Sequence, residues 1–401
     1  MISIVDLHDD INSKNGGYKM HYVKSGIDRL KDGEYISSLK GKRIGLITNP
    51  TGVDASLRSS IDILKEIADL KMLFAPEHGV RGDLQAGVKM SNYTDAKSGL
   101  PVFSLYGGVH HIPKELIETL DAVVFDVQDI GARFYTYMYT LSYVMEDCAK
   151  YGKEMIVLDR VNPIGGVYPE GTILDRKFSS FVGRFPTATR HNMTIGEFAR
   201  YINDTESISC DLTVIPLMGW TRDMLFSDTS LPFVSPSPNI PTPDTCLCYI
   251  GTCLAEGTNL SEGRGTTHPF EFVGAPFTDG EYIADAMNEI ALPGVIFRPC
   301  HFTPTFSKHQ GDLCSGVQLH ITDSRAFKPF EAGLRLIDLI RKTSPDFRFR
   351  DQTDGQGRMF IDKLLGTDAI RSEAFDVDKF LKEVEKPLSE YAKKINRYYL
   401  Y

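Results

Sequence analysis

The sequence lacks any apolar run of the ~18 residues that a membrane-spanning helix needs, so no membrane span is expected. It also lacks a basic run. With a formal net charge of −9, nucleic acid and anionic membrane surfaces are poor partners. Cysteine occurs seven times, an odd number without paired spacing, and a disulfide scaffold does not suit a chain of 401 residues. Cys246, Cys248 and Cys253 lie close together, but no second CxxC-type pair or HxxxH accompanies them. They read as core, and no metal site is expected. GxGxxG, GxxxxGK[ST], GxSxG and HExxH are all missing. The first βα turn, Asn49-Pro50-Thr51-Gly52, does not have dinucleotide spacing, so no cofactor is expected. The N-terminus carries acids where a secretory signal needs a basic start. As written, the chain reads as cytoplasmic; a trimmed N-terminus would make it periplasmic or secreted.

What the sequence does have is a set of apolar runs that end in polar clusters. Arg43–Thr48 leads into Asn49-Pro50-Thr51-Gly52, and Met72–Ala75 into Pro76-Glu77-His78-Gly79 and on to Asp83. Ala122–Phe125 leads into Asp126-Val127-Gln128-Asp129, and Met155–Leu158 into Asp159-Arg160-Val161-Asn162. Helical periodicity separates these runs, with Leu57, Ile61, Leu64 and Ile67 on one face. Alternating strands and helices predict an α/β fold, a Rossmann-like doubly wound parallel sheet whose strand ends open on one edge.

The spacing predicts helices over 113–120 and 133–151, the latter ended by Gly152, and a capping box at Thr194/Glu197. The proline-dense stretch 232–245 reads as an extended connector. We therefore expect a Rossmann-like catalytic domain over 1–242, with residues 1–40 as a polar lead-in. A smaller C-terminal α+β domain over 243–401 would complete the cleft.

Among the strand-end residues, Glu77 is the first candidate for a general acid. It follows a buried strand and sits in a loop loosened by Gly79 and Gly82; desolvation beside apolar walls favours the protonated form of such a carboxyl. A cap or surface salt bridge is the competing reading. Asp126 would be its partner carboxylate, as base, nucleophile or stabiliser. Asp129 is either a ligand or a helix cap. Gln128, Asn49 and His78 lie in the same clusters. Arg133, on the expected first helical turn, could clamp an anion bidentately. Tyr135 is the member of the Tyr135/Tyr139/Tyr143 stripe placed nearest the cleft. Asn162 could hydrogen-bond a sugar hydroxyl or acetamido group. From the second half, Asn239 stands in Ser237-Pro238-Asn239, Glu262 and Arg264 stand between glycines in a polar segment, and His309 and Gln310 could form a lid.

Five blocks carry a resemblance: Thr48–Gly52, Pro76–Gly79, Asp126–Tyr137, Pro236–Pro241 and Glu256–Thr266. They resemble the DUF1343 family, which includes the NamZ exo-β-N-acetylmuramidases, and the likeness runs from about residue 40 to the C-terminus. It departs at Val161, where the family commonly has proline. The resemblance implies a glycoside hydrolase that releases N-acetylmuramic acid from the non-reducing end of peptidoglycan fragments, with Glu77 as the catalytic glutamate. Such a substrate carries a lactyl carboxylate, for which Arg133 or Arg264 would be the cation. Its 2-acetamido group, or Asp126, would act at the anomeric carbon. The alternatives are a non-catalytic binder of cell-wall sugars and a metal-dependent hydrolase built on His78, Asp126 and Asp129.

Overall fold

A computed structural model describes residues 20–82, 92–350 and 356–401. Residues 1–19 of the lead-in, and Asp83, lie outside the described residues. The main sheet holds β1 (Arg43–Thr48), β2 (Asp69–Ala75), β3 (Tyr93–Thr94), β4 (Pro101–Ser104), β5 (Ala122–Asp126) and β6 (Glu154–Leu158). After a separate ribbon of β7 (Glu170–Ile173) and β8 (Ala188–Arg190) comes its last strand, β9 (Asp211–Ile215). Spatial order is β3-β4-β2-β1-β5-β6-β9. All neighbours are parallel except the short edge strand β3, which runs against β4. Chain order reverses between β1 and β5, the doubly wound arrangement.

Burial explains why these runs became strands. Every residue of β5 is buried. Val123 and Phe125 point into one core while Ala122 and Val124 point into the other, as period-two alternation between two helix-covered faces requires. The helix Ile195–Thr205 starts on the Thr194/Glu197 capping box, with reciprocal bonds of 3.2 and 3.0 Å.

Three expectations need correction. The helix expected from Arg133 starts at Tyr137, because Gly131 (φ +82°) and a bridge from Ala132 to Arg190 lay the chain against β8 first. The helix expected over 113–120 is a single turn, Lys114–Ile117. The connector 232–245 already enters the helix Pro243–Thr252 at its end, with proline at the first turn, where no N–H is needed.

The second half carries an antiparallel sheet, β10 (Phe272–Ala275), β11 (Val295–Phe302) and β12 (Cys314–Ile321), in the order β10-β12-β11. Helices Pro243–Thr252 and Pro329–Thr343 meet at Gly251 and Gly333. A Cβ on Gly251 would stand 2.0 Å from the Pro329 carbonyl oxygen, so the close approach requires glycine. One hydrophobic core runs from Ile47 through Phe270 to Tyr398. The chain's end returns to the first half, where Tyr401 Oη donates to Asp159 Oδ2 at 2.8 Å and accepts from the Leu217 N–H at 2.6 Å.

Candidate active site

β2 leaves the core at Ala75, and the next residues form a tight turn closed by Gly79 N–H to Pro76 C=O at 3.1 Å. His78 (φ +72°) and Gly79 (φ +80°) both adopt left-handed backbone, a conformation that a histidine holds only when its surroundings impose it. The turn presents Glu77 to a pocket of about 290 Å³, close to the lower end of small-molecule sites at ~300 Å³. That is room for one substituted sugar rather than a polymer.

The loop after β5 supplies the Glu77 surroundings. Thr136 Oγ1 donates to Glu77 Oε2 at 3.1 Å, and Tyr137 Oη reaches the Glu77 carbonyl at 3.4 Å and the Pro236 carbonyl at 2.8 Å. Tyr106, just beyond β4, brings its phenol beside the carboxyl group; burial and then the Glu77 charge hold that phenol well above its ordinary pKa. The same two causes, in the same order, raise Tyr137. Tyr135 is buried in the pocket wall, its phenol beside Ser237 and the Tyr137 phenol.

The second half closes the other side with Tyr249, Glu256, Arg264, Phe270 and Phe360. Arg264 donates through Nε and Nη2 to Glu256 Oε1 at 2.9 and 2.7 Å and lies 3.3 Å from Glu262. Burial pulls its pKa down, but the two glutamates outweigh burial and raise it. Glu262 also pairs with Lys308 at 2.8 Å. Two cations and two carboxylates therefore balance in this wall.

Of the residues singled out in the sequence, Glu77, His78, Tyr135 and Arg264 line this pocket. Glu262 stands behind Arg264, and Asn239 is buried two positions beyond the lining Ser237. Asn49 supports from outside: its Oδ1 accepts from Thr51 N–H and Oγ1 at 3.0 and 2.5 Å, and its amide neighbours the Tyr137 phenol.

The others are structural. Asp126 is wholly buried and paired with Arg160 Nε at 2.7 Å. Arg160 also donates to Val53 C=O at 3.1 Å and, with Thr51 and Gln128 from the turns after β1 and β5, lines a small cavity of about 20 Å³. Gln128 donates to the Asp129 and Val161 carbonyls at 2.6 and 2.7 Å. Asp129 accepts from Gly131 N–H at 2.7 Å and contacts His191 Nε2 at 3.0 Å; it stitches a loop and caps no helix. Arg133 is fully buried, its guanidinium bonded to the carbonyls of Thr172, Thr187 and Leu364. It has no surface left for a substrate anion. Asn162 bridges Met193 C=O and Ile164 N–H. His309 is held by the Asn259 carbonyl at 2.6 Å, and neither it nor Gln310 lines the pocket. The metal reading needs His78, Asp126 and Asp129 at one point, but His78 lines the pocket while the two aspartates lie outside it, paired with Arg160 and His191.

The sequence reading passed over Tyr106, Thr136, Tyr137, Phe181, Tyr249 and Glu256. For Tyr106 the signal was available, since a strand end followed by Gly107-Gly108 is the pattern that marked Glu77.

Comparison with known proteins agrees over the whole described core. The family models for the N-terminal and C-terminal parts of exo-beta-N-acetylmuramidase NamZ match residues 44–244 and 247–401. The peptidoglycan beta-N-acetylmuramidase NamZ of Bacillus subtilis (strain 168) is 48% identical over 396 residues, covering 97% of this chain and 94% of that protein. Two crystal structures of DUF1343 family proteins from Bacteroides fragilis NCTC 9343 each cover 94% of this chain and 99% of their own. They superpose with TM-scores of 0.86 and 0.75 at 36% and 30% identity.

Proposed function

The chain belongs to the NamZ exo-beta-N-acetylmuramidase family and is a glycosidase acting on peptidoglycan fragments, and we propose that Glu77 is its general acid/base. The observation that carries this assignment is the isolation of one serviceable carboxyl group. Among the described residues, Glu77 faces the pocket with hydroxyl and phenol groups beside its carboxyl and no ion pair, whereas Glu256, also in the lining, is bound to Arg264.

With Asp126 enclosed beside Arg160, the pocket offers no second free carboxylate as nucleophile among the described residues. The substrate's own 2-acetamido oxygen takes that role, the substrate-assisted route among glycosidases. Its carbonyl oxygen bonds to the anomeric carbon as the glycosidic C–O bond breaks, and the Glu77 proton passes to the leaving oxygen. Water then adds to the anomeric carbon, the acetamido bond opens, and the Glu77 carboxylate takes the water's proton. Tyr135, in the pocket lining beside Ser237, is the phenol we assign to the acetamido group. Arg264 Nη1, not engaged by Glu256, meets the lactyl carboxylate. Seven free, buried cysteines fit a reducing compartment, and we place the reaction in the cytoplasm, on fragments already released from the wall.

Glu77→Gln tests the acid role on a muramic-acid disaccharide. Loss of the proton donor lowers kcat by ~10²–10⁴-fold; near-normal turnover refutes the assignment. Proton NMR of the first sugar released adds a second reading. Acetamido participation gives the β anomer first, and an initial α anomer overturns it.

A further inference from the structure

The pocket has a buried floor and a partly exposed rim. Phe134, Tyr135, Tyr249 and Phe270 are buried in the floor, while Tyr106 and Phe181 stand half-buried on the Glu77 side of the rim and Glu256, Arg264 and Phe360 on the side of the second half. The Glu77 carboxyl group must meet the oxygen that leaves, and the aromatic side chains that continue the lining from Glu77 on the first half's side are Tyr106 and then Phe181. Tyr106 borders both, with its phenol beside Glu77 and its ring 6.4 Å from Phe181.

Phe181 is braced for a contact surface. One face stacks on His110 at 4.9 Å and 26°, and His110 stacks in turn on Tyr143 at 4.9 Å and 15°. The Arg184 guanidinium covers Tyr143 at 4.0 Å. Burial, then the neighbouring charges of His111 and Arg184, lower the His110 pKa, so the column has an uncharged ring at its centre at neutral pH. A backed aromatic ring on a rim costs little conformational freedom when a ligand lands on it. Sugar C–H faces are apolar and suit such a ring.

We propose that Phe181, with Tyr106 beside it, is the platform for the sugar on the leaving side of the scissile bond. It thereby sets the preference for a saccharide leaving group. This rests on the reading of Glu77 as acid/base, because Glu77 fixes which side is the leaving side. Phe181 touches no reacting atom in this assignment; it is a specificity-determining residue.

The test compares two substrates of the full chain. One is the disaccharide of N-acetylmuramic acid linked to N-acetylglucosamine; the other is β-N-acetylmuramosyl fluoride, whose leaving atom cannot reach the rim. Phe181→Ala is expected to lower kcat/KM on the disaccharide by roughly tenfold, the scale of one aromatic contact, and to leave fluoride turnover unchanged. Phe181→Tyr is expected to restore the disaccharide rate. An equal fall on both substrates, or no fall on either, overturns the platform and leaves Glu77 untouched. A wild-type protein that cleaves neither substrate removes the acid/base reading, and the platform falls with it.

Discussion

Asp126 and Arg160 meet at the carboxyl ends of the strands with 0% and 8% of their side chains exposed. A buried pair of this kind is costly to break, by ~3–5 kcal/mol when one charge is left alone. Asp126→Asn keeps the shape but not the charge. We expect it to lower stability by about 3 kcal/mol, read from urea unfolding, with kcat on a muramic-acid disaccharide within a fewfold of wild type; a hundredfold fall would restore a catalytic part for Asp126. Arg133 makes the same point with a different partner, since three backbone carbonyls hold its guanidinium. Neither environment was legible in the sequence. Residue type and strand-end position located both correctly in the first half, but the partners lie 34 positions away for Asp126 and 231 away for the Leu364 carbonyl of Arg133. Glu77 was legible because its setting is local: a buried strand, a proline before, and a glycine turn behind.

At the scale of elements, the strands were easy to read because each is an apolar run of β-forming residues covered on both faces. Helix starts were less so. Tyr137, not Arg133, begins its helix, because a bridge to β8 takes the intervening residues, and pairing of that kind leaves no mark on periodicity. The contact between helices Pro243–Thr252 and Pro329–Thr343 was equally hidden, depending on two glycines far apart in the chain. Adding a methyl group at Gly251 sets it against backbone, which cannot turn aside as a side chain can. Gly251→Ala is expected to cost ~1–3 kcal/mol, the usual penalty of overpacking, visible as a lower thermal midpoint. An unchanged midpoint would mean that the two helices separate freely. Tyr249 lies in this helix and Glu256 just beyond it, so a shifted helix would also move two residues of the pocket lining.

For the whole molecule, the return of the chain's end to the first half links titration to stability. Asp159 accepts from Gly196 N–H, Thr194 and Tyr401, each at 2.8 Å. Burial, then the Glu197 charge, push its pKa up to about 7. Burial also pushes Glu170 up to about 7, in a site where it accepts from the Phe330 N–H across the two halves. Both carboxyls bind protons more tightly folded than unfolded. Their contribution is complete below the unfolded pKa of ~4 and is lost as pH rises through about 7. Thermal midpoints are expected to decline between pH 5 and pH 8 from this source, and Asp159→Asn to flatten the decline. A variant that keeps the wild-type slope would remove Asp159 from the account.

The arginine plug between β1 and β5 has a practical consequence. In doubly wound sheets that opening normally seats the phosphates of a nucleotide, and here a guanidinium and its carboxylate occupy it. Inhibitor scaffolds borrowed from nucleotide analogues would meet the Asp126–Arg160 pair there. The compounds worth making imitate a flattened, positively charged sugar ring and fit the neighbouring pocket beyond β2 and β4, one step along the same sheet edge.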